Sequence, residues 1–126
     1  SGGGTLDLGT YVGSGNWTGY KSFCVYINSP PPMSANYDIK ATTSNGSFSL
    51  TGASTLFYTL TWNDSDASGG SSMIYNQLLT SQTGSSMSGC SSSSNARLTV
   101  AISSSNMAAA NAGIYSNTIT LTLYTL

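Results

Sequence analysis

Apolar residues in this chain recur at every second position in short runs, a period that leaves the strand as the only regular element most of the sequence can form. In Phe23-Cys24-Val25-Tyr26-Ile27 the side chains of Phe23, Val25 and Ile27 share one face, and in the run from Leu56 to Trp62 those of Leu56, Tyr58, Leu60 and Trp62 do. Tyr37, Ile39 and Ala41 alternate with Asp38 and Lys40; Leu98, Val100 and Ile102 alternate with Thr99 and Ala101; and Ile119, Leu121 and Leu123 are separated by threonines. Thr5–Leu8, Ser47–Leu50 and Met73–Leu79 carry the same pattern more weakly. About seven or eight short strands between Gly, Ser, Asn and Pro turns predict an all-β sandwich.

One short stretch, Asn106-Met107-Ala108-Ala109-Ala110, is helix-like and predicts a single turn ahead of the last strand. Asp64–Ser72 and the serine-rich Ser81–Asn95 read as loops. No linker divides the 126 residues, a length that suits one core, so 1–126 is expected to be a single domain.

Charged residues make up 6% of the sequence, against roughly 25% in an ordinary soluble domain. Lys21, Lys40 and Arg97 are the only basic residues, and they are scattered, which excludes the positive stripe that nucleic acid requires. Hydrophobic residues at 39%, with eight tyrosines and two tryptophans, supply a core nonetheless. No apolar run is long enough for a membrane span, so no membrane insertion is expected. Nor is there a basic-then-apolar leader pattern, so the sequence reads as that of a mature, exported chain. In a chain of this style Cys24 and Cys90 are expected to pair, with the alternative of two buried thiols. Closing a loop of that length stabilises a fold by roughly 4 kcal/mol on chain-entropy grounds. Cys24 is out of phase with Phe23, Val25 and Ile27, which places the bridge at the margin of the sandwich.

Catalysis finds no support in the residue types. There is no histidine to serve as a base, no glutamate, and none of the many serines stands in a nucleophile elbow. The absence of histidine and of any CxxC pair also argues against a transition metal, and no cofactor is expected. Asp64-Ser65-Asp66-Ala67-Ser68-Gly69 matches the opening half of a calcium loop, but Tyr75 stands where the bidentate glutamate belongs. Asp64 and Asp66 are therefore at most a weak calcium candidate, and otherwise a solvated turn. Trp17 and Tyr20 in a Gly-rich stretch, with Pro31 and Met33 in a stiff apolar turn, are candidate surface contacts, weighed against simple core capping and turn formation.

Taken in order, these strands resemble the spore coat protein U-like domain of archaic chaperone-usher pilins. The likeness is carried by Gly4-Thr5-Leu6-Asp7-Leu8-Gly9, by Phe23-Cys24-Val25-Tyr26 followed by Asn36-Tyr37-Asp38-Ile39, by Leu56–Leu60 with Trp62-Asn63, and above all by the closing stretch Ala112–Leu123, a Gly-x-Tyr entry into alternating threonine and aliphatic residues. The resemblance implies an immunoglobulin-like sandwich that lacks its last strand. It further implies a groove bordered by Ile119, Leu121 and Leu123, filled by a strand from a periplasmic chaperone and then from a neighbouring pilus subunit. On that reading the chain is a non-enzymatic structural subunit or adhesin domain of an extracellular, cell-surface fimbria, exported through the periplasm, which at a tip would contact a host or abiotic surface. The sequence as it stands ends at Leu126, directly after the apolar strand, as an unfilled groove would require. Its opening, Ser1-Gly2-Gly3-Gly4 before Leu6 and Leu8, is shorter than the family's donor extension. An accepting tip domain, a donor segment outside this sequence, and a self-completing sheet all remain open. The alternative function is a free-standing carbohydrate-binding sandwich, with Trp17 or Trp62 against the sugar.

Overall fold

A computed structural model describes residues 16–27, 35–87, 89–90 and 93–125. Within them the chain forms nine short strands and one short helix: β1 (Trp17–Phe23), β2 (Asn36–Thr43), β3 (Ser49–Thr51), β4 (Thr55–Phe57), β5 (Thr59–Asn63), β6 (Ser71–Ser72), β7 (Leu79–Thr83), β8 (Ala96–Ile102), α1 (Ser104–Ala109) and β9 (Ile119–Thr125). The strands make a four-stranded sheet in the order β1-β8-β5-β6, a three-stranded sheet β7-β2-β9 and a two-stranded hairpin β3-β4. Every strand pair is antiparallel. The result is a small all-β sandwich.

Alternation decides which side chains enter the space between the sheets. On β2, Tyr37, Ile39 and Ala41 are wholly buried; on β8, Ala96, Leu98, Val100 and Ile102 are; and Leu56, Tyr58, Leu60 and Trp62 continue the same face from β4 into β5. These residues form one apolar cluster fed by both sheets. One polar bond crosses it: the Trp62 Nε1–H of β5 donates to the Tyr37 hydroxyl of β2 at 3.0 Å. Burial of a donor as large as indole requires such a partner. It also pushes the Tyr37 phenol up to about 12, chiefly by desolvation and slightly by the charge of Asp64, with the Trp62 bond acting against the shift. Tyr58 is likewise pushed up to about 12 by burial and then by the nearby Tyr75. Its hydroxyl has no hydrogen-bond partner.

Several sequence expectations need correction in detail. Nine strands replace seven or eight because the run from Leu56 to Trp62 is split at Tyr58, whose N–H turns to the Phe48 carbonyl, so that β4 pairs with β3 and β5 with β8. The early strand is Trp17–Phe23, not Phe23–Ile27. Val25 and Ile27 are buried as alternation requires, yet their backbone is held by Ser85 and by the side-chain amide of Asn95 rather than by a sheet. Met73–Leu78 holds a turn and no strand, with Asn76 at φ 57 and the Gln77 N–H bonded to the Ile74 carbonyl, and Leu79 opens β7. Both stretches taken for pure loop contribute strand, Ser71–Ser72 to β6 and Ser81–Thr83 to β7. The short helix forms where expected, its N-cap Ser103 accepting from the Asn106 N–H. Thr5–Leu8 lies outside the described residues.

Candidate functional site

β9 pairs with β2 from Thr43↔Ile119 to Tyr37↔Thr125 and with no strand on its other side among the described residues. Thr120 and Thr122 face away from the core while Ile119, Leu121 and Leu123 pack against it; unlike Tyr37, Ile39 and Ala41 on the neighbouring strand, these three aliphatic side chains are only partly buried. No side chain of the described residues bonds a backbone amide of β9. The three residues singled out by alternation thus line one strip beside a ladder edge that no other described residues pair with. An extended segment laid along that edge would gain backbone hydrogen bonds and cover apolar surface at once.

The opposite edge of the same sheet is built differently. Among the described residues β7 pairs with β2 alone, and a bulge interrupts the pairing between Tyr37↔Gln82 and Ile39↔Leu79. Ser81, at φ 60, donates its N–H to Asp38 Oδ1 at 3.0 Å. Thr83 donates its N–H to Asp64 Oδ2 at 2.7 Å.

Asp66 turns the other way. Its Oδ1 accepts from the Ser22 hydroxyl at 2.6 Å and from Arg97 Nε at 3.3 Å. The two carboxylates of the calcium-like loop therefore reach different sheets, Asp64 to β7 and Asp66 to β1 and β8. Among the described residues no three acidic, cysteine or histidine side chains gather in a way that could hold a metal ion.

Cys24 and Cys90 are bonded, with Cα atoms 5.8 Å apart. Cys24 follows the last residue of β1 and Cys90 lies between β7 and β8, so the bridge sits where a strand ends, beside the apolar cluster rather than within it. Asn95 reinforces the same spot: its side chain accepts from the Val25 N–H at 2.8 Å and donates to the Val25 carbonyl at 3.1 Å.

The candidate contact residues do not converge. Trp17 lies on β1, partly buried against the core. Tyr20, 54% exposed on the same strand, carries the Arg97 guanidinium 3.9 Å from its ring centre. Pro31 and Met33 lie outside the described residues. Trp62 is 1% exposed and committed to Tyr37, so it cannot stack on a sugar.

Alternation did not reveal a cleft of about 330 Å³ between the β4–β5 corner, the end of β8 and α1. Asn16, Phe57, Thr59, Ser103 and Asn106 line it, without a charged group. The Phe57 ring is 55% exposed there.

No family model matches the chain, and no curated protein matches it in sequence. In three dimensions it is similar to a chain of a solved chaperone–tip adhesin complex described as vital for synergistic activation of CFA/I fimbriae biogenesis. The TM-score is 0.51 at 20% identity, covering 97% of this chain and 38% of that one. The likeness is one of fold, and this chain spans well under half the length of that neighbour.

Proposed function

We propose that this chain is a structural subunit or adhesin domain of a bacterial surface fimbria, and that its outer β9 edge accepts a strand first from a periplasmic chaperone and then from a neighbouring subunit. The carrying observation is the β9 edge, unpaired among the described residues, with Ile119, Leu121 and Leu123 partly buried beside it. The fold likeness to a chain of a fimbrial chaperone–tip adhesin complex supports the same reading. Such a subunit works outside the cell. On this reading the sandwich is immunoglobulin-like and is completed in the groove by the donor strand.

The test is a thermal melt with a synthetic peptide of alternating apolar residues. Saturation at about a hundred times Kd stabilises by roughly 2.7 kcal/mol, or on the order of 10 °C for a chain of this size. No shift and no binding at millimolar peptide overturns the proposal.

A second reading, a carbohydrate-binding module, is favoured by the uncharged cleft with its exposed Phe57 ring, since aromatic faces and neutral amides suit sugars. It predicts binding to some member of a glycan panel, lost in Phe57→Ala with the melt unchanged. Silence across the panel sinks it.

A further inference from the structure

The two edges of the β7-β2-β9 sheet offer an approaching strand different terms. Gly84, just past β7, donates its N–H to the Ala35 carbonyl at 2.9 Å, toward β2. Thr83, one residue earlier, therefore points its N–H away from β2, along the outer edge. That amide is held by Asp64 at 2.7 Å, the short distance of a bond to a charged acceptor. Ser81, two residues back and rotated by the bulge, has its N–H held by Asp38. The sequence has only four acidic residues, and two of them are spent on amides of one five-residue strand. Among the described residues no comparable side chain bonds the amides of β9.

We infer that Asp64, beside the bulge that Asp38 pins from β2, determines which edge of this sheet can accept a strand: its carboxylate closes the outward amide of β7 and so directs addition to β9. To pair with β7, an incoming strand must break the bond between Thr83 and Asp64. It must also either expel that carboxylate into water or cover it, which costs roughly ten- to a hundredfold in affinity. An inward-turned charge and a bulge are general means of keeping an edge from pairing. The β9 half of the statement rests on the strand-addition reading above; the β7 half does not.

The experiment compares the full chain with Asp38→Ala/Asp64→Ala by sedimentation velocity, and by native mass spectrometry with the alternating apolar peptide. The wild type is expected to take one peptide. The double variant takes a second, or self-associates at least tenfold more readily. Adding Thr83→Pro, which removes the freed amide, returns the wild-type behaviour, a rescue that a merely structural role for Asp64 does not predict. A folded double variant that stays monomeric and takes no more peptide than the wild type overturns the inference while leaving the β9 reading intact. A wild type that takes no peptide overturns the β9 reading, and self-association alone then judges the β7 cap. Should the double variant not fold, hydrogen exchange on the wild type decides. The Ser81 and Thr83 amides should exchange about tenfold or more slowly than those of β9 that face away from β2, and equal rates refute the cap.

Discussion

Replacing Tyr37 by phenylalanine removes one oxygen from between the sheets and leaves the carbon skeleton of the core in place. The Trp62 indole N–H, on a residue 1% exposed, then loses its acceptor. A buried donor left without a partner costs about 1–3 kcal/mol. Relief from burying the phenol offsets part of this, so a loss of about 2 kcal/mol is expected, or roughly 8 °C in Tm for a chain of this length. Trp62→Phe should cost more, about 3 kcal/mol or above, because it also empties volume and shifts the ring packed 5.8 Å from Phe23. The assay is equilibrium urea unfolding of the oxidised chain, followed by circular dichroism so that the tryptophan change does not alter the probe. In a double-mutant cycle the two losses should fall short of additivity by about 1 kcal/mol. A Tyr37→Phe loss below about 0.5 kcal/mol, with full additivity, would mean that the bond across the core contributes nothing to holding the sheets together.

Burial pushes both phenols up to about 12 in the folded chain, whereas in the unfolded chain they ionise near 10. The unfolded state then binds fewer protons, so stability should be level below pH 10 and fall between 10 and 12, by up to about 3 kcal/mol per tyrosine; urea midpoints across that range check it, and Tyr37→Phe should roughly halve the fall. Cys24→Ser/Cys90→Ser should cost roughly 4 kcal/mol by freeing the loop in the unfolded chain, visible as a lower urea midpoint; a smaller loss than 1 kcal/mol would show that the 84–95 connection is held by Asn95 and the core alone. Leu121→Asn should cost the unliganded chain about 1–2 kcal/mol, since the side chain is partly buried against the core, yet abolish the peptide-induced rise. An undiminished rise would place the peptide elsewhere.

Alternation made the core legible wherever a strand has one apolar and one polar face: Tyr37, Ile39 and Ala41 against Asp38 and Lys40, or Leu98, Val100 and Ile102 against Arg97, Thr99 and Ala101. It hid β1, whose inward face carries Trp17, Gly19, Lys21 and Phe23 and so shows no apolar period, and whose strand character comes from its ladder with β8. It misplaced the strand at Val25 and Ile27 because burial and sheet pairing part company there. Of the candidate site, Ile119, Leu121 and Leu123 were readable, as period two is preserved on an edge strand. The roles of Asp38 and Asp64 were not, since Asp38 joins a residue 43 positions away and Asp64 one 19 away. Nothing local in either sequence neighbourhood encodes those partners.

The bond between Cys24 and Cys90 also decides how the chain carries mechanical load. The two cysteines are 66 positions apart, and β2 through β7 lie wholly between them. Tension applied through the flanking segments passes across the sulfur atoms and does not run along the backbone of the enclosed stretch. Some 220 Å of contour, at roughly 3.4 Å for each of those 66 residues, is thereby withheld from extension. β1, β8 and β9 bear the force along their own backbone, while the enclosed strands, with Tyr37, Trp62 and the carboxylate-held amides of β7, are loaded only sideways through the β8–β5 and β9–β2 ladders. Pulled until it yields, such a domain should lengthen in a short step while the bridge is intact and in a much longer one after reduction.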